Sequence, residues 1–95
     1  MTETIEARRK RLLYRAMHRG FKEADIIIGG FATAHIQTMT VAELDEFEEL
    51  IGFPDKELYE WIIGRQQAPA NLSGPIFTRL QAFDAVQEVR NLTSL

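Results

Sequence analysis

The chain has 95 residues, a formal net charge of −3 and no cysteine. That length allows one domain with a single modest core. The missing cysteine excludes a disulfide framework, a thiolate nucleophile and a cysteine-bound metal. The first residues after Met1 are acidic and carry no apolar run, so no secretory signal is expected. The longest apolar run, 26–32, is too short to span a bilayer. The cytoplasm is the expected compartment, with no direct membrane insertion.

Charge is unevenly distributed. Arg8, Arg9, Lys10, Arg11, Arg15, Arg19 and Lys22 place seven of the eleven basic residues in the first 22 positions. Eight of the fourteen acids fall between Glu43 and Glu60. This asymmetry predicts a positive end and a negative end, which would orient an encounter with a charged partner.

Residues 4–17 read as a first helix. Thr4 is its N-cap, and Ile5, Leu12, Leu13, Ala16 and Met17 form its apolar side. Gly20 ends it. Residues 21–35 read as a second, central helix, with Phe21, Ala24, Ile28, Phe31 and His35 at helical intervals and Ile27 widening the stripe. Its β-branched run, 26–28, and its paired Gly29-Gly30 disfavour a helix locally. The glycines therefore predict close approach by a neighbouring helix or by a partner chain.

Thr40 opens a third helix, and Thr40 to Glu43 has the spacing of a capping box. Val41, Leu44, Phe47, Leu50 and Ile51 form its inner face, and Gly52 ends it. A fourth helix starts near Pro54, with Asp55 as a candidate cap and Gly64 as its stop. Leu58, Trp61 and Ile62 point inward, which leaves Tyr59 and Glu60 toward the outside. After a polar loop over 65–73, Ser73 or Gly74 caps a fifth helix that carries Pro75 in its first turn. Ile76, Leu80, Phe83 and Val86 or Gln87 follow the helical interval. Residues 91–95 read as a frayed tail. The expected fold is all-α, a compact antiparallel bundle of five short helices in one domain over 1–95.

The corner between the first two helices, Arg19-Gly20-x-x-Glu23, admits two readings. In one it is a helix boundary. Gly20 marks the break, Glu23 reaches back to the boundary backbone and meets the positive helix end, and Arg19 is a solvated C-terminal cation. In the other, Gly20 lets a partner approach the backbone closely, flanked by a guanidinium and a carboxylate. Tyr59, beside Glu60, is a further candidate interface anchor.

Other chemistries find less support. The cluster Arg8 to Arg11 is short, in an acidic chain with one nearby aromatic, Tyr14, and reads as a solvated face rather than a nucleic-acid patch. His18 and His35 lack the converging ligands of a metal site. No nucleophilic constellation and no glycine-rich phosphate loop is present, since Gly29-Gly30 lacks a strand-to-helix context. No enzyme active site is expected.

The chain resembles the SdhE-type flavinylation factors, the succinate dehydrogenase assembly factors. The resemblance rests on Arg11-Leu12-Leu13-Tyr14-Arg15, Arg19-Gly20-Phe21-Lys22-Glu23-Ala24-Asp25 and Phe31-Ala32. It continues through Glu43-Leu44-Asp45-Glu46-Phe47-Glu48, Pro54-Asp55 and Leu58-Tyr59-Glu60-Trp61-Ile62, so that it covers residues 8–64. Where that family has Asp-Leu-Tyr-Asp-Trp, this chain has Glu57-Leu58-Tyr59-Glu60-Trp61, which keeps the charge with longer reach.

The resemblance implies a small helical protein that binds the flavoprotein subunit of succinate dehydrogenase or fumarate reductase. It would promote covalent attachment of FAD to a histidine of that subunit. The bond-forming step, attack of the histidine on the 8α-methyl carbon of an activated isoalloxazine, would belong to the flavoprotein. The factor would be an assembly chaperone, not an enzyme, holding no FAD stably and acting on FAD held by its partner. The implied contact lies at Arg19, Gly20 and Glu23, and the expected partner-binding set adds Arg15, Tyr59 and Glu60. The competing reading from another class is a generic helical adaptor with an unrelated client.

Overall fold

The computed structural model describes residues 2–93. The described residues are helical, with no strand. Helix α1 is Ile5–Met17, and its N-cap is Thr4, whose hydroxyl accepts from the Ala7 N–H at 3.1 Å. Helix α2 covers residues 22–35. It starts as an α-helix over Lys22–Ala24, widens to a π-helix over Asp25–Gly29 and returns to α over Gly30–His35. A single 3-10 turn, Ile36–Thr38, follows. Helix α3 is Val41–Ile51, α4 is Asp55–Ile63, α5 is Pro75–Gln81 and α6 is Asp84–Thr93.

The π turn answers the conflict within the central segment. Its wider winding brings Ile27, Ile28 and Gly29 together onto the buried side and leaves Ile26 at the surface. The Thr33 hydroxyl donates to the Gly29 carbonyl at 2.8 Å, one turn back, where α winding resumes. Close approach is what the paired glycines permit, and a neighbouring helix makes it. A Cβ on Gly29 would lie 3.2 Å from the Ala16 carbonyl of α1, and one on Gly30 would lie 3.3 Å from the Phe83 ring.

The core is one cluster drawn from every helix. Leu12 and Ala16 of α1 meet Ala24, Ile27, Ile28, Phe31 and Ala32 of α2. Leu44, Phe47, Leu50 and Ile51 of α3 join them, with Leu58, Trp61 and Ile62 of α4 and Ile76, Leu80, Val86 and Val89 beyond. The Cα radius of gyration of 13.0 Å is that of a compact chain of this length.

The sequence expectations need several corrections. The expected fifth helix is two, α5 and α6, broken at Ala82-Phe83. The break turns the chain so that Phe83 packs edge-on to Phe31 at 5.6 Å while Val86 and Val89 return to the core. Helix α6 runs on to Thr93, so the expected tail is helical from 91 to 93, and residues 94 and 95 lie outside the described residues. Met17 and Val41, read as inner-face residues, are exposed. Each sits in a terminal turn of its helix, and Met17 lies against Gly29 of α2 at the edge of that contact rather than within the core. Gly74 is the N-cap of α5, as expected of one of the two candidates, Ser73 and Gly74, but no side chain at that position supplies the capping bond. The Glu46 carboxylate reaches across from α3 and accepts from the Ile76 and Phe77 N–H groups at 3.0 and 2.9 Å.

The predicted charge separation is also overturned. The basic face of α1 lies on the acidic face of α3. Arg8 pairs with Asp45 and Glu48 at 2.7 and 2.9 Å, and Arg11 with Glu3 and Glu48 at 2.8 and 2.9 Å. Arg9 donates instead to the Ile36 and Met39 carbonyls, closing the end of the 3-10 turn. The charges that looked like opposite poles are partners across one helix interface. Arg11 and Arg8 together hold the Glu48 carboxyl below the usual carboxylate range, and Arg11 does the same for Glu3.

A carboxylate with a depressed folded pKa stabilises fully above its unfolded value, and that stability is lost as pH falls through the folded value. Glu48→Gln should therefore cost about 1 kcal/mol at neutral pH, reduced by added salt. The gap to the parent chain should close as pH drops below about 4, once the parent Glu48 is itself protonated. Denaturant unfolding across a pH series checks this, and a gap that stays constant down to acid pH would refute it.

Candidate functional site

The corner between α1 and α2 is built by the two ends it joins. α1 stops at Met17, and His18 leaves the helix with φ −123° and ψ 63°. The His18 ring stacks on Tyr14 at 4.0 Å, and its Nδ1 donates to the Tyr14 carbonyl at 2.8 Å. Phe21 is extended, and α2 begins at Lys22. Between these, Arg19 and Gly20 leave two consecutive backbone N–H groups outside either helix.

Arg19 is not the solvated cation that the sequence led one to expect. Its side chain is only 6 % exposed. The guanidinium donates to the Ile51 carbonyl at 2.9 Å and the Phe53 carbonyl at 3.3 Å, and it pairs with Asp55 at 2.5 Å. Ile51 and Phe53 flank the end of α3, where the last helical carbonyls have no partner within the helix. Arg19 therefore caps α3 from another part of the chain, at the negative end of that helix.

Asp55 is not the cap of its own helix. The N-cap of α4 is Pro54, with no side-chain hydrogen bond. The Asp55 carboxylate turns outward from α4 to take the Arg19 guanidinium on one oxygen and the Gly20 N–H on the other. The Arg19 N–H donates to Asp25 at 2.6 Å. The backbone-capping role read for Glu23 is thus filled by Asp25 and Asp55. Glu23 is the second residue of α2, half-buried, and its carboxylate has no hydrogen bond or ion pair among the described residues.

Gly20 is exposed, and a Cβ there would lie 2.7 Å from the Asp55 carboxylate oxygen. A side chain at this position would thus have to displace the Asp55 carboxylate. Arg15 stands in the last turn of α1, half-buried and without a side-chain partner among the described residues.

Tyr59 and Glu60 depart from their expected exposure. Tyr59 is buried, its ring edge-on to Phe21 at 5.1 Å. The Glu60 side chain is 12 % exposed and lies 3.4 Å from Arg65. Helix α4 is packed against α2 on one side and α5 and α6 on the other, so its buried face is wider than one stripe. Gly64, at φ 82°, closes α4 by letting the Arg65 N–H return to the Glu60 carbonyl at 2.9 Å.

Phe21, Lys56, Tyr59, Glu60 and Arg65 line a shallow groove that begins beside the corner. The structure therefore brings Arg19, Gly20, Tyr59 and Glu60 to one region. It also adds Asp25 and Asp55, which spacing did not single out for the corner. Their signal was weak: one acid ahead of an apolar run, and one after a proline that read as a local cap.

The remaining chemistry is sparse. Among the described residues no group of three or more histidines and carboxylates could hold a metal. Gly29-Gly30 packs against α1 and Phe83, which gives it a helix-contact role rather than a phosphate cradle. No helix among the described residues is long and apolar enough to cross a membrane. Arg8, Arg9 and Arg11 are engaged inside the protein, which leaves little of the basic cluster for phosphates.

Residues 10–84 match the family model described as flavinator of succinate dehydrogenase. The chain is 44 % identical to the FAD assembly factor SdhE of Acetobacter pasteurianus over 78 residues, 82 % of this chain and 72 % of that protein. It is 39 % identical over 62 residues to the mitochondrial succinate dehydrogenase assembly factor 2 of Candida glabrata, 65 % of this chain and 40 % of that protein. It is 32 % identical over 77 residues to the same-named protein of Dictyostelium discoideum, 81 % of this chain and 55 % of that protein. The match thus spans about half or less of the mitochondrial relatives and most of the bacterial one.

The geometry separates the two charged members of the corner by stability. Arg19→Ala removes the partner of two part-buried carbonyls and a carboxylate, and it should cost about 2 kcal/mol. Glu23→Ala, which breaks no internal bond, should stay within about 0.5 kcal/mol of the parent. Chemical denaturation of both variants tests this, and a Glu23→Ala loss as large as that of Arg19→Ala would restore the capping reading.

Proposed function

The chain belongs to the family of flavinators of succinate dehydrogenase, and from that premise we propose that it is an assembly chaperone for a flavoprotein client. The client is the flavoprotein subunit of succinate dehydrogenase or fumarate reductase, met in the cytoplasm. The chain binds that subunit and promotes covalent attachment of FAD to its histidine. The covalent chemistry belongs to the client, and the factor itself is not an enzyme. FAD stays on the client throughout.

The observation that supports the reading most is the family match across residues 10–84, which includes the corner. The state of Glu23 agrees with it, because its carboxylate has no hydrogen bond or ion pair among the described residues. Such a group can form a charge-assisted hydrogen bond with a client donor at no cost to the fold. Arg15 supplies a cation at the end of α1 that has no side-chain partner among the described residues. Tyr59 and Glu60 contribute by forming the wall of the groove that starts at Phe21, rather than as projecting anchors. Arg19 and Gly20 support the contact through the shape of the turn.

The test is co-expression with the flavoprotein subunit, read as flavin fluorescence of the denatured subunit on a gel. Fluorescence should require this chain and fall several-fold with Glu23→Ala, whose folding is unchanged. Gly20→Arg should abolish it, since the new side chain fills the approach to the turn and displaces Asp55. Equal fluorescence with and without the factor would reject this function and leave a helical adaptor with another client.

A further inference from the structure

Two adjacent peptide groups at the corner are held by carboxylates from two different helices. The Arg19 N–H is bound by Asp25 at 2.6 Å, and the Gly20 N–H by Asp55. Asp25 stands two residues beyond Glu23, at the point where α2 changes from α to π winding. Asp55 stands at the start of α4 and also holds the Arg19 guanidinium. The turn is thereby tied at one side to the helix that carries Glu23 and at the other to the helix that carries Tyr59 and Glu60.

Backbone N–H to carboxylate bonds are charge-assisted and among the stronger protein hydrogen bonds. Two of them on consecutive residues fix the orientation of both peptide planes. A four-residue connection, 18–21, that would otherwise sample several conformations is held in one.

We propose that Asp25 and Asp55 are positioning residues for the client contact. They cage the Arg19-Gly20 turn so that Glu23 meets the flavoprotein in a preset arrangement, and Arg19 acts inside this cage rather than on the client. This rests on the functional reading above. Its physical basis is preorganisation: a loop that is already ordered does not lose that freedom on binding.

A cage has a signature that ordinary destabilisation lacks. Losing it should weaken binding without slowing the client's own chemistry, and the effect should pass through Glu23. The experiment uses the full-length chain with its client at a temperature where circular dichroism shows every variant folded. Flavinylation of the client is followed as the factor is titrated, for the parent, Asp25→Ala, Asp25→Asn, Asp55→Ala, Glu23→Ala and the double variant Asp25→Ala with Glu23→Ala. Hydrogen exchange of the Arg19 and Gly20 amides is measured on the same proteins without client.

Asp25→Ala should speed exchange of the Arg19 amide and Asp55→Ala that of the Gly20 amide. Each should raise the half-saturating factor concentration roughly ten-fold, with the rate at saturation unchanged. Asp25→Asn, whose carbonyl still accepts, should recover part of the loss. In the Glu23→Ala background Asp25→Ala should add nothing further.

Faster exchange with an unchanged titration would overturn the positioning role while leaving the function standing. A lowered saturating rate, or full additivity with Glu23→Ala, would also overturn it. A client that acquires flavin equally without the factor would reject the function, and this inference with it. In that case the parent's own titration is flat, which separates this failure from the others.

Discussion

One buried guanidinium connects the ends of three helices. Arg19 lies just past α1, its donors reach the terminal carbonyls of α3, and its counter-charge sits at the start of α4. A charge so far from water is tolerated only with partners, and here they are the groups that a helix end leaves unsatisfied. The arrangement solves three local problems at once. The carbonyls at the end of α3 gain a donor, the charge gains a carboxylate, and the Gly20 N–H gains the other oxygen of that carboxylate. Remove the guanidinium and the α3 carbonyls lose their donor while the Asp55 carboxylate loses its counter-charge.

The same device recurs at smaller scale. Arg9 of α1 closes the turn after α2, and Glu46 of α3 opens α5 by accepting from two of its first N–H groups. Gly74 makes room for that carboxylate, as Gly20 does for Asp55, since a Cβ at either position would collide with it. The helices here run from 7 to 14 residues in length, too short to be stable alone in water. Their ends are therefore secured by side chains from other helices, and the ion-pair network between α1 and α3 does similar work along their sides. The apolar core supplies most of the driving force, while these ties decide which ends meet.

That division explains what the sequence could and could not reveal. Features set within a few residues were legible. The Thr4 cap, the Thr40 to Glu43 capping box and the Gly64 stop are all where local rules put them. The alternation of apolar residues located the cores of α1, α2 and α3. What failed was whatever a distant partner decides. Arg19 looked solvated because its partners lie more than thirty positions away, and Asp55 looked like a local cap for the same reason. Tyr59 looked exposed because a single helical stripe cannot show that α4 is covered from two sides. The π turn left a trace, since β-branched residues next to paired glycines signalled an irregular helix, but nothing in the spacing gave its form.

The corner also shows why a short pattern can be read two ways without either reading being complete. Arg19 and Gly20 satisfy internal demands, as the boundary reading required, yet Glu23 does not join them. An element that in sequence looks like one recognition unit is in the fold a rigid frame with one open carboxylate on its edge. Loss of function at Arg19 or Gly20 would therefore mix altered stability with altered contact. Glu23 is the member at which the two separate, because its carboxylate makes no hydrogen bond or ion pair among the described residues. A recognition surface built this way gains precision from groups that never touch the partner, and for that reason its frame can extend to residues, such as Asp25 and Asp55, that lie outside the pattern itself.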